Sequence, residues 1–462
     1  MYDFRKIKLG VAPTRRDTFP PPEHAVANKA PVMNRLRRIF SGIENLEIVD
    51  IDGINSEGIL LETEDVAKVE KLFRDRGVDA VFMPHLNFGQ EEVVGKLGAA
   101  LGLPFLLWGP RDPRPKPNAP FRDLDTQCGL FASSKALSRY GVPFTYIENC
   151  WLDSPVLEKG IDDFIRVTSA VKAFRKLRIL QTSTRPRQFL SVKVNESELL
   201  EKFGIEVVVL ESTEVTNCID NVLTKRQDEI KKLVKEWENK FDLTGLNPGK
   251  IENMAALDIG ILTLAEKFGC SVVSGECWHL FLAKYGIRSC FVFGDLTEKG
   301  LPVACENDIH GSITSALLLG ATRMQTPTFL ADITIRHPDN DNAELLWHCG
   351  PYPSCLARYG GKPSVVGDGV GCWEIKGGDI TVARFDSEKG DYSLFAGEGR
   401  GVDGPSTDGN YVWFETDDWV KWEKKLIYGP YIHHIIGAHG KYKAVLHEAC
   451  KYLHGVKPDS VE

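Results

Sequence analysis

Short apolar or β-branched runs punctuate the first third of the chain at Ile7–Ala12, Leu46–Ile51, Ala80–His85, Pro104–Trp108 and Phe144–Glu148. Stretches with helical spacing lie between them. The clearest has Thr63 as a cap, apolar Val66, Val69, Leu72 and Phe73, and Gly77 as a stop. Strands alternating with helices predict parallel pairing in an open α/β sheet, whose ligands sit beyond the C-terminal strand ends. Two polar loops fall there: Pro13-Thr14-Arg15-Arg16-Asp17 and His85-Leu86-Asn87-Phe88-Gly89-Gln90. The Pro-rich stretch Pro110–Pro120 reads as a long loop, and a helix near Ile161–Lys176 leads into a second unit. That unit repeats the pattern, with strands predicted at Leu177–Thr182, Ile205–Leu210, Ser271–Gly275, Ser289–Phe293 and Val303–Cys305. Charged helical stretches such as Lys225–Lys240 read as solvated faces. After about Thr326 the helical period vanishes. Short alternating strands with Gly-rich turns follow, as at Trp373–Ile375, Ile380–Phe385 and Tyr411–Phe414, and predict an antiparallel sheet or barrel. One helix, about Tyr442–Leu453, closes the chain.

The expected fold class is therefore α/β. Two Rossmann-like parallel-sheet domains, residues 1–155 and 156–325, precede a C-terminal antiparallel, barrel-like β-rich domain, residues 326–462. A length of 462 residues suits about three domains. The balance of 56 Lys and Arg against 64 Asp and Glu, a net charge of −8, argues against nucleic acid as the main partner, because phosphate binding needs a basic surface. No segment reaches the roughly 18 apolar residues of a membrane span. The first residues run straight into a strand without an apolar signal core, so a cytoplasmic protein is expected. The eleven Cys include no Cys-x-x-Cys pair. A disulfide framework or a Cys-based zinc site is therefore not expected.

Gly399-Arg400-Gly401-Val402-Asp403-Gly404 matches a dinucleotide-binding spacing, but Pro405 to Gly409 and then a strand follow it rather than a helix. A hairpin loop fits better. The sharper signal is a set of hard ligands at element ends. Glu306 and Asp308 follow the strand Val303–Cys305 and open a helix, where either could be a cap. Asp332 sits in the next predicted strand, as a ligand or as a satisfied buried acid. His348 ends a strand, as a ligand or as a core histidine. His433 and His434 share an apolar strand, whose pleat lets at most one of them face a given site. Carboxylates with imidazole and no thiolate suit Mn²⁺, Mg²⁺ or Co²⁺, and such a site left open supports Lewis-acid chemistry on vicinal oxygens.

With these strings in view, the sequence resembles the L-fucose isomerase / L-arabinose isomerase superfamily, specifically its shorter fucose isomerase-like members. The resemblance rests on Gly275-Glu276-Cys277-Trp278, on Leu301 through Gly311, on Phe329-Leu330-Ala331-Asp332, on Trp347-His348-Cys349-Gly350 and on His433-His434. Asp125-Thr126-Gln127-Cys128-Gly129 and the Gly397-Glu398-Gly399 turn add to it. It spans nearly the whole chain and implies a metal-dependent aldose–ketose isomerase using Mn²⁺ or another divalent cation. Glu306, Asp332 and His434 would be ligands, and His348 matches a ligand position of the arabinose branch. The resemblance also implies a homo-oligomer, a trimer or hexamer, with the active site at a subunit interface. There Arg15, Arg16, Phe88 and Gln90 of a neighbour would reach the sugar.

Such a reaction moves a proton between C1 and C2 of an open-chain sugar through a cis-enediol, with Glu306 and Asp332 as the acid–base pair. Trp278, Trp347 and His433 are candidate sugar contacts, the tryptophans also reading as core packing. Arg185, in the loop Thr182–Gln188, reads as a solvated loop charge or as an anion contact, which would make the substrate an acidic or sulfonated sugar such as sulfoquinovose. Two other readings compete. One is a non-catalytic sugar-binding protein, since tandem α/β units build those too. The other is an epimerase or lyase on the same scaffold.

Overall fold

A computed structural model of the chain describes residues 4–18, 20–115, 117, 122–358 and 360–461. The chain divides into two compact units, Phe4–Lys172 and Ala173–Glu462. The division falls inside the helix Pro155–Phe174. The first boundary expected from sequence, at 155/156, is where that helix begins. Residues on both sides of the second, at 325/326, belong to one compact unit.

The first unit is built on five parallel strands: β1 (Ile7–Val11), β2 (Leu46–Asp50), β3 (Ala80–Pro84), β4 (Phe105–Trp108) and β5 (Thr145–Tyr146), in the order β2-β1-β3-β4-β5. Both faces are covered, which is why these strands read as continuous apolar runs. Val81, Met83, Phe105 and Leu107 enter one core, while Phe82, Leu106 and Trp108 enter the other. The order reverses between β1 and β3, and the two polar loops meet at that switch point. Thr14 N–H donates to Pro84 O at 3.0 Å, and Leu86 N–H donates to Thr14 O at 2.9 Å. The helix Thr126–Arg139 lies so close to this loop that a Cβ on Gly129 would stand 1.5 Å from Phe88 O. Within Pro110–Pro120, residues 116 and 118–120 lie outside the described residues; the rest has no helix or strand.

The second unit opens with four parallel strands, β6 (Arg178–Thr182), β7 (Glu206–Leu210), β8 (Val272–Gly275) and β9 (Val303–Cys305), in the order β7-β6-β8-β9. Nine further strands follow: β10 (Phe329–His337), β11 (Asn340–His348), β12 (Ser364–Val366), β13 (Val370–Glu374), β14 (Gly378–Glu388), β15 (Asp391–Val402), β16 (Asn410–Glu415), β17 (His434–His439) and β18 (Val456–Asp459). They pair as β12-β13-β16-β11-β10-β17-β14-β15-β18, and an additional β16–β15 pairing closes six antiparallel strands into a ring. The β-rich third expected from sequence is thus a closed barrel with flanking strands. One core runs from the four-stranded sheet into the barrel. The helix Ile309–Ala321, buried along its whole length, leads from β9 toward the barrel.

Three local expectations are corrected. Ser289–Phe293 is not a strand but part of the helix Cys290–Glu298. Every residue from Cys290 to Thr297 is buried, so no polar face marks the helical period. The stretch Gly399–Gly404 is not a hairpin loop at its start, since Gly399 and Gly401 lie inside β15. A Cβ on Gly399 would stand 2.4 Å from Glu415 O, so glycine here permits close strand approach. A helix at Trp419–Tyr428 interrupts the β-rich third. Its buried Trp419, Trp422 and Leu426 recur at helical spacing, and its cap Asp418 accepts the Lys421 N–H. Among the described residues, no helix is long and apolar enough to cross a membrane.

Candidate metal centre

Glu306 emerges from β9 on a backbone that no β-strand or helix supplies. Its φ is +63° and that of Asn307 is +55°, left-handed values that non-glycine residues adopt rarely and at some cost. Asn307 N–H donates to Gly275 O at 3.1 Å, which ties this turn to the end of β8. The chain re-enters regular structure at Asp308, whose side chain caps the helix Ile309–Ala321 by accepting the Gly311 N–H at 2.9 Å. The turn thus separates two carboxylates only two residues apart, Asp308 into the core and Glu306 toward the barrel.

The barrel supplies the rest. β10 runs between β11 and β17, with Asp332 directly opposite both Trp347 and His434. Such cross-strand pairing places side chains on one face within contact of each other. His434 Nε2 lies 3.4 Å from Glu306 Oε2 and 3.4 Å from Asp332 Oδ1. His433 Nε2 lies 3.9 Å from the same Asp332 oxygen, but its side chain is about half exposed. One ligand atom each from Glu306, His348 and His434 fall within 4.8 Å of one another, and so do those of Asp332, His433 and His434.

The electrostatics are concentrated at His434. Burial opposes charge on the ring, yet the carboxylates of Asp308, Glu306 and Asp332 beside it raise its pKa to about 9. Burial likewise opposes charge on Glu306, and the neighbouring His434 overrides it, holding the carboxyl below its usual range. Asp308 is held far below that range, again against burial, by Arg384 and His434.

The aromatic candidates gather around this cluster. Trp347 stacks on His348 at a centroid distance of 6.4 Å. Trp278 stacks on Phe189 at 6.1 Å, and Phe189 packs against His433 at 5.6 Å and edge-on to His434 at 5.3 Å. Phe189 lay outside the sequence reading. It is brought in by Arg185, whose guanidinium donates to Pro186 O and Phe189 O, both at 2.7 Å. Arg185 is thus engaged with the carbonyls of its own loop.

Arg15, Arg16, Phe88 and Gln90 come together in the first unit, at the switch point between β1 and β3. Arg15 is buried, with its Nε 2.7 Å from Glu57 Oε2 and its Nη1 2.9 Å from Asp17 Oδ1. The Arg16 guanidinium lies 3.5 Å over the Phe88 ring. Gln90 N–H donates to Thr14 Oγ1 at 3.2 Å and precedes the helix Glu91–Leu101.

Residues 10–175, which carry this switch point, match the family model described as "Fucose/sulfoquinovose isomerase, N-terminal domain". Over 357 residues the chain is 23% identical to a sulfoquinovose isomerase from Priestia aryabhattai, covering 76% of this chain and 78% of that one. It is also 23% identical over 337 residues to a sulfoquinovose isomerase from Alkalicoccus urumqiensis, covering 71% and 73%. The chain is thus similar to fucose/sulfoquinovose isomerases, by the family model over residues 10–175 and by these relatives over 71–76% of its length. It is a sugar isomerase, which sets aside the non-catalytic sugar-binding reading. Among solved structures, a periplasmic solute-binding protein from Actinobacillus succinogenes with bound D-allose aligns at 11% identity and a TM-score of 0.17, covering 69% of this chain and 91% of that one.

The residues of this isomerase suit a divalent cation. Asp332 Oδ1, His348 Nε2 and His434 Nε2 are buried and make no hydrogen bond. Buried polar atoms are rarely left so, and three of them at one spot is the pattern that a missing partner leaves. Glu306, Asp332 and His434 offer two carboxylates and one imidazole, a set for a hard to borderline ion. His348 differs. Its Nδ1 accepts the Cys349 backbone N–H at 2.9 Å, so the neutral ring carries its proton on Nε2. In that tautomer it is a hydrogen-bond donor toward the site, while its place in the Glu306–His348–His434 group is that of a candidate ligand.

Proposed function

We propose that this sugar isomerase interconverts an aldose and a ketose with the help of a divalent cation, Mn²⁺ in the first instance, and that its substrate is an anionic hexose of the sulfoquinovose kind. The three unpartnered atoms on Asp332, His348 and His434 carry the metal part of the reading. The two sulfoquinovose isomerase relatives support the sulfonated substrate over a fucose or arabinose type.

Glu306, Asp332 and His434 would hold the cation. Once bound, it would polarise the carbonyl of an open-chain sugar and offset the negative charge of the enediol. The chain's own residues do the proton work. One of Glu306 and Asp332 takes the proton from C2 and returns it to C1, while the other moves the hydroxyl proton. The His348 Nε2–H is placed to donate to a sugar oxygen. Phe189 and Trp278 wall one side against water. In the same reading, Arg15, Arg16, Phe88 and Gln90 reach the sugar from a neighbouring subunit of a trimer or hexamer. Eleven cysteines, all free, suit the reducing cytoplasm.

The deciding experiment incubates protein dialysed against EDTA with sulfoquinovose, L-fucose and L-arabinose, with and without Mn²⁺, and follows ketose by NMR. Turnover of sulfoquinovose only with Mn²⁺ is expected, and Glu306→Gln should abolish it with the fold intact. Full activity after EDTA would remove the metal from the mechanism. Turnover confined to the neutral sugars would remove the anionic substrate.

A further inference from the structure

His434 is not held by the barrel alone. Its Nδ1 lies 3.0 Å from Asp308 Oδ2. Asp308 is wholly buried, and both of its oxygens are in use. Oδ1 accepts the Gly311 N–H at 2.9 Å and Arg384 Nη2–H at 3.2 Å, and Oδ2 also accepts from Arg384 Nη1. Arg384, itself 1% exposed, turns its Nε to Asp386 Oδ2 at 2.9 Å, and Asp386 Oδ1 meets His310 Nδ1 at 3.0 Å. A helix cap needs one acceptor and no buried arginine. Burying this many charges is costly, and the helix alone does not account for it.

We propose that Asp308, locked by Arg384, is a positioning residue that keeps the proton of the His434 ring on Nδ1 and so leaves the Nε2 lone pair free between Glu306 and Asp332. This rests on the metal reading above and deepens it. An ionised carboxylate only accepts, so the ring nitrogen facing Asp308 must be the donor. When Nε2 gives up its proton to solvent, Nδ1 retains its own. The neighbouring His348 is set the opposite way, because its Nδ1 faces a backbone N–H. Two histidines at one site are thus assigned opposite tautomers by what stands behind them: His434 an acceptor, His348 a donor.

Asp308→Asn tests this through orientation. At the Oδ1 position the new amide would face both Gly311 N–H and Arg384 Nη2, two donors. At the Oδ2 position it faces Arg384 Nη1 but can donate to His434 Nδ1. The second placement is favoured, and it moves the neutral ring's proton to Nε2, toward the cation. Mn²⁺ affinity, read from the EPR signal of free Mn²⁺, should therefore weaken about 10–100-fold in a protein that still folds, with a melting temperature lowered because Arg384 keeps only Asp386 as a charged partner. A folded Asp308→Asn protein that binds Mn²⁺ as tightly as the wild type overturns the role of Asp308 and leaves the metal reading standing. A wild-type protein that binds no Mn²⁺ overturns the metal reading itself. Should Asp308→Asn fail to fold, ¹⁵N-histidine NMR of the Zn²⁺-loaded wild type decides. The ring signal that vanishes in His434→Gln should carry its proton on Nδ1, and a proton on Nε2 overturns the proposal.

Discussion

Replacing Arg384 with Met removes the arginine shared by Asp308 and Asp386 and keeps most of the side-chain volume. Three charge-assisted hydrogen bonds reach Asp308 and Asp386 from this one guanidinium, and all three residues are buried. Deleting one member of such a set leaves carboxylates uncompensated in the core, at a cost of about 3–5 kcal/mol. His434 and His310 remain as partners and place the expected loss toward the lower figure. At roughly 2–4 °C per kcal/mol, the melting temperature should fall by about 6–20 °C. The loss also depends on pH. In the wild type, Arg384 and His434 hold Asp308 below the usual carboxylate range against burial, and Arg384 does the same for Asp386 with His310. Depressed pKa values contribute stability that is present above the unfolded-state value, near 4, and is lost as pH falls through the folded value. In the Met variant the two carboxylates lose this counter-charge and burial pushes their folded values above 4, so the variant, unlike the wild type, loses stability as pH rises from 4.5 to 7.5, and its deficit should be largest at pH 7.5 and shrink toward pH 4.5. Calorimetry at the two pH values checks this. A deficit under about 1 kcal/mol at pH 7.5, or one equal at both pH values, refutes the account of Arg384 as the counter-charge of this network.

Gly129→Ala should lower stability by about 1–3 kcal/mol, because its Cβ would meet Phe88 O at 1.5 Å. Gly42→Ala, at φ −84° with its nearest neighbour 3.4 Å away, should be neutral or stabilising by up to about 1 kcal/mol; thermal melts of the pair compare them directly. Glu344, raised to about 7 by burial against the pull of Arg336, should lose stability as pH rises through 7, so Glu344→Gln should melt higher than the wild type at pH 8 and not at pH 5. The Mn²⁺-dependent rise in melting temperature, about 2.7 kcal/mol of stabilisation at a hundredfold excess over Kd, should vanish in His434→Gln, as scanning fluorimetry with and without EDTA would register.

Much of the architecture was legible in the chain. Apolar runs buried on both faces, such as Ala80–Pro84, announce a parallel strand because no polar face interrupts them. The hard-ligand residue types after β9, in β10, at the end of β11 and at the start of β17 marked the candidate centre, and the metal we propose rests on them because carboxylate and imidazole without thiolate suit a narrow set of ions. Burial erased the period of Cys290–Thr297, and there the pattern misled. Three things were decided by folding alone. The left-handed backbone at Glu306 and Asn307 sends Glu306 and Asp308 in different directions, and no composition or spacing encodes that. Strand register set Asp332 opposite His434 from a hundred residues away, since pairing partners are chosen by the whole sheet. The groups behind each ring, Asp308 for His434 and a backbone N–H for His348, came from tertiary packing, and the proton placement we propose rests on them. A residue's type sets which bonds it can make, but only its neighbours in space determine which of them it does make.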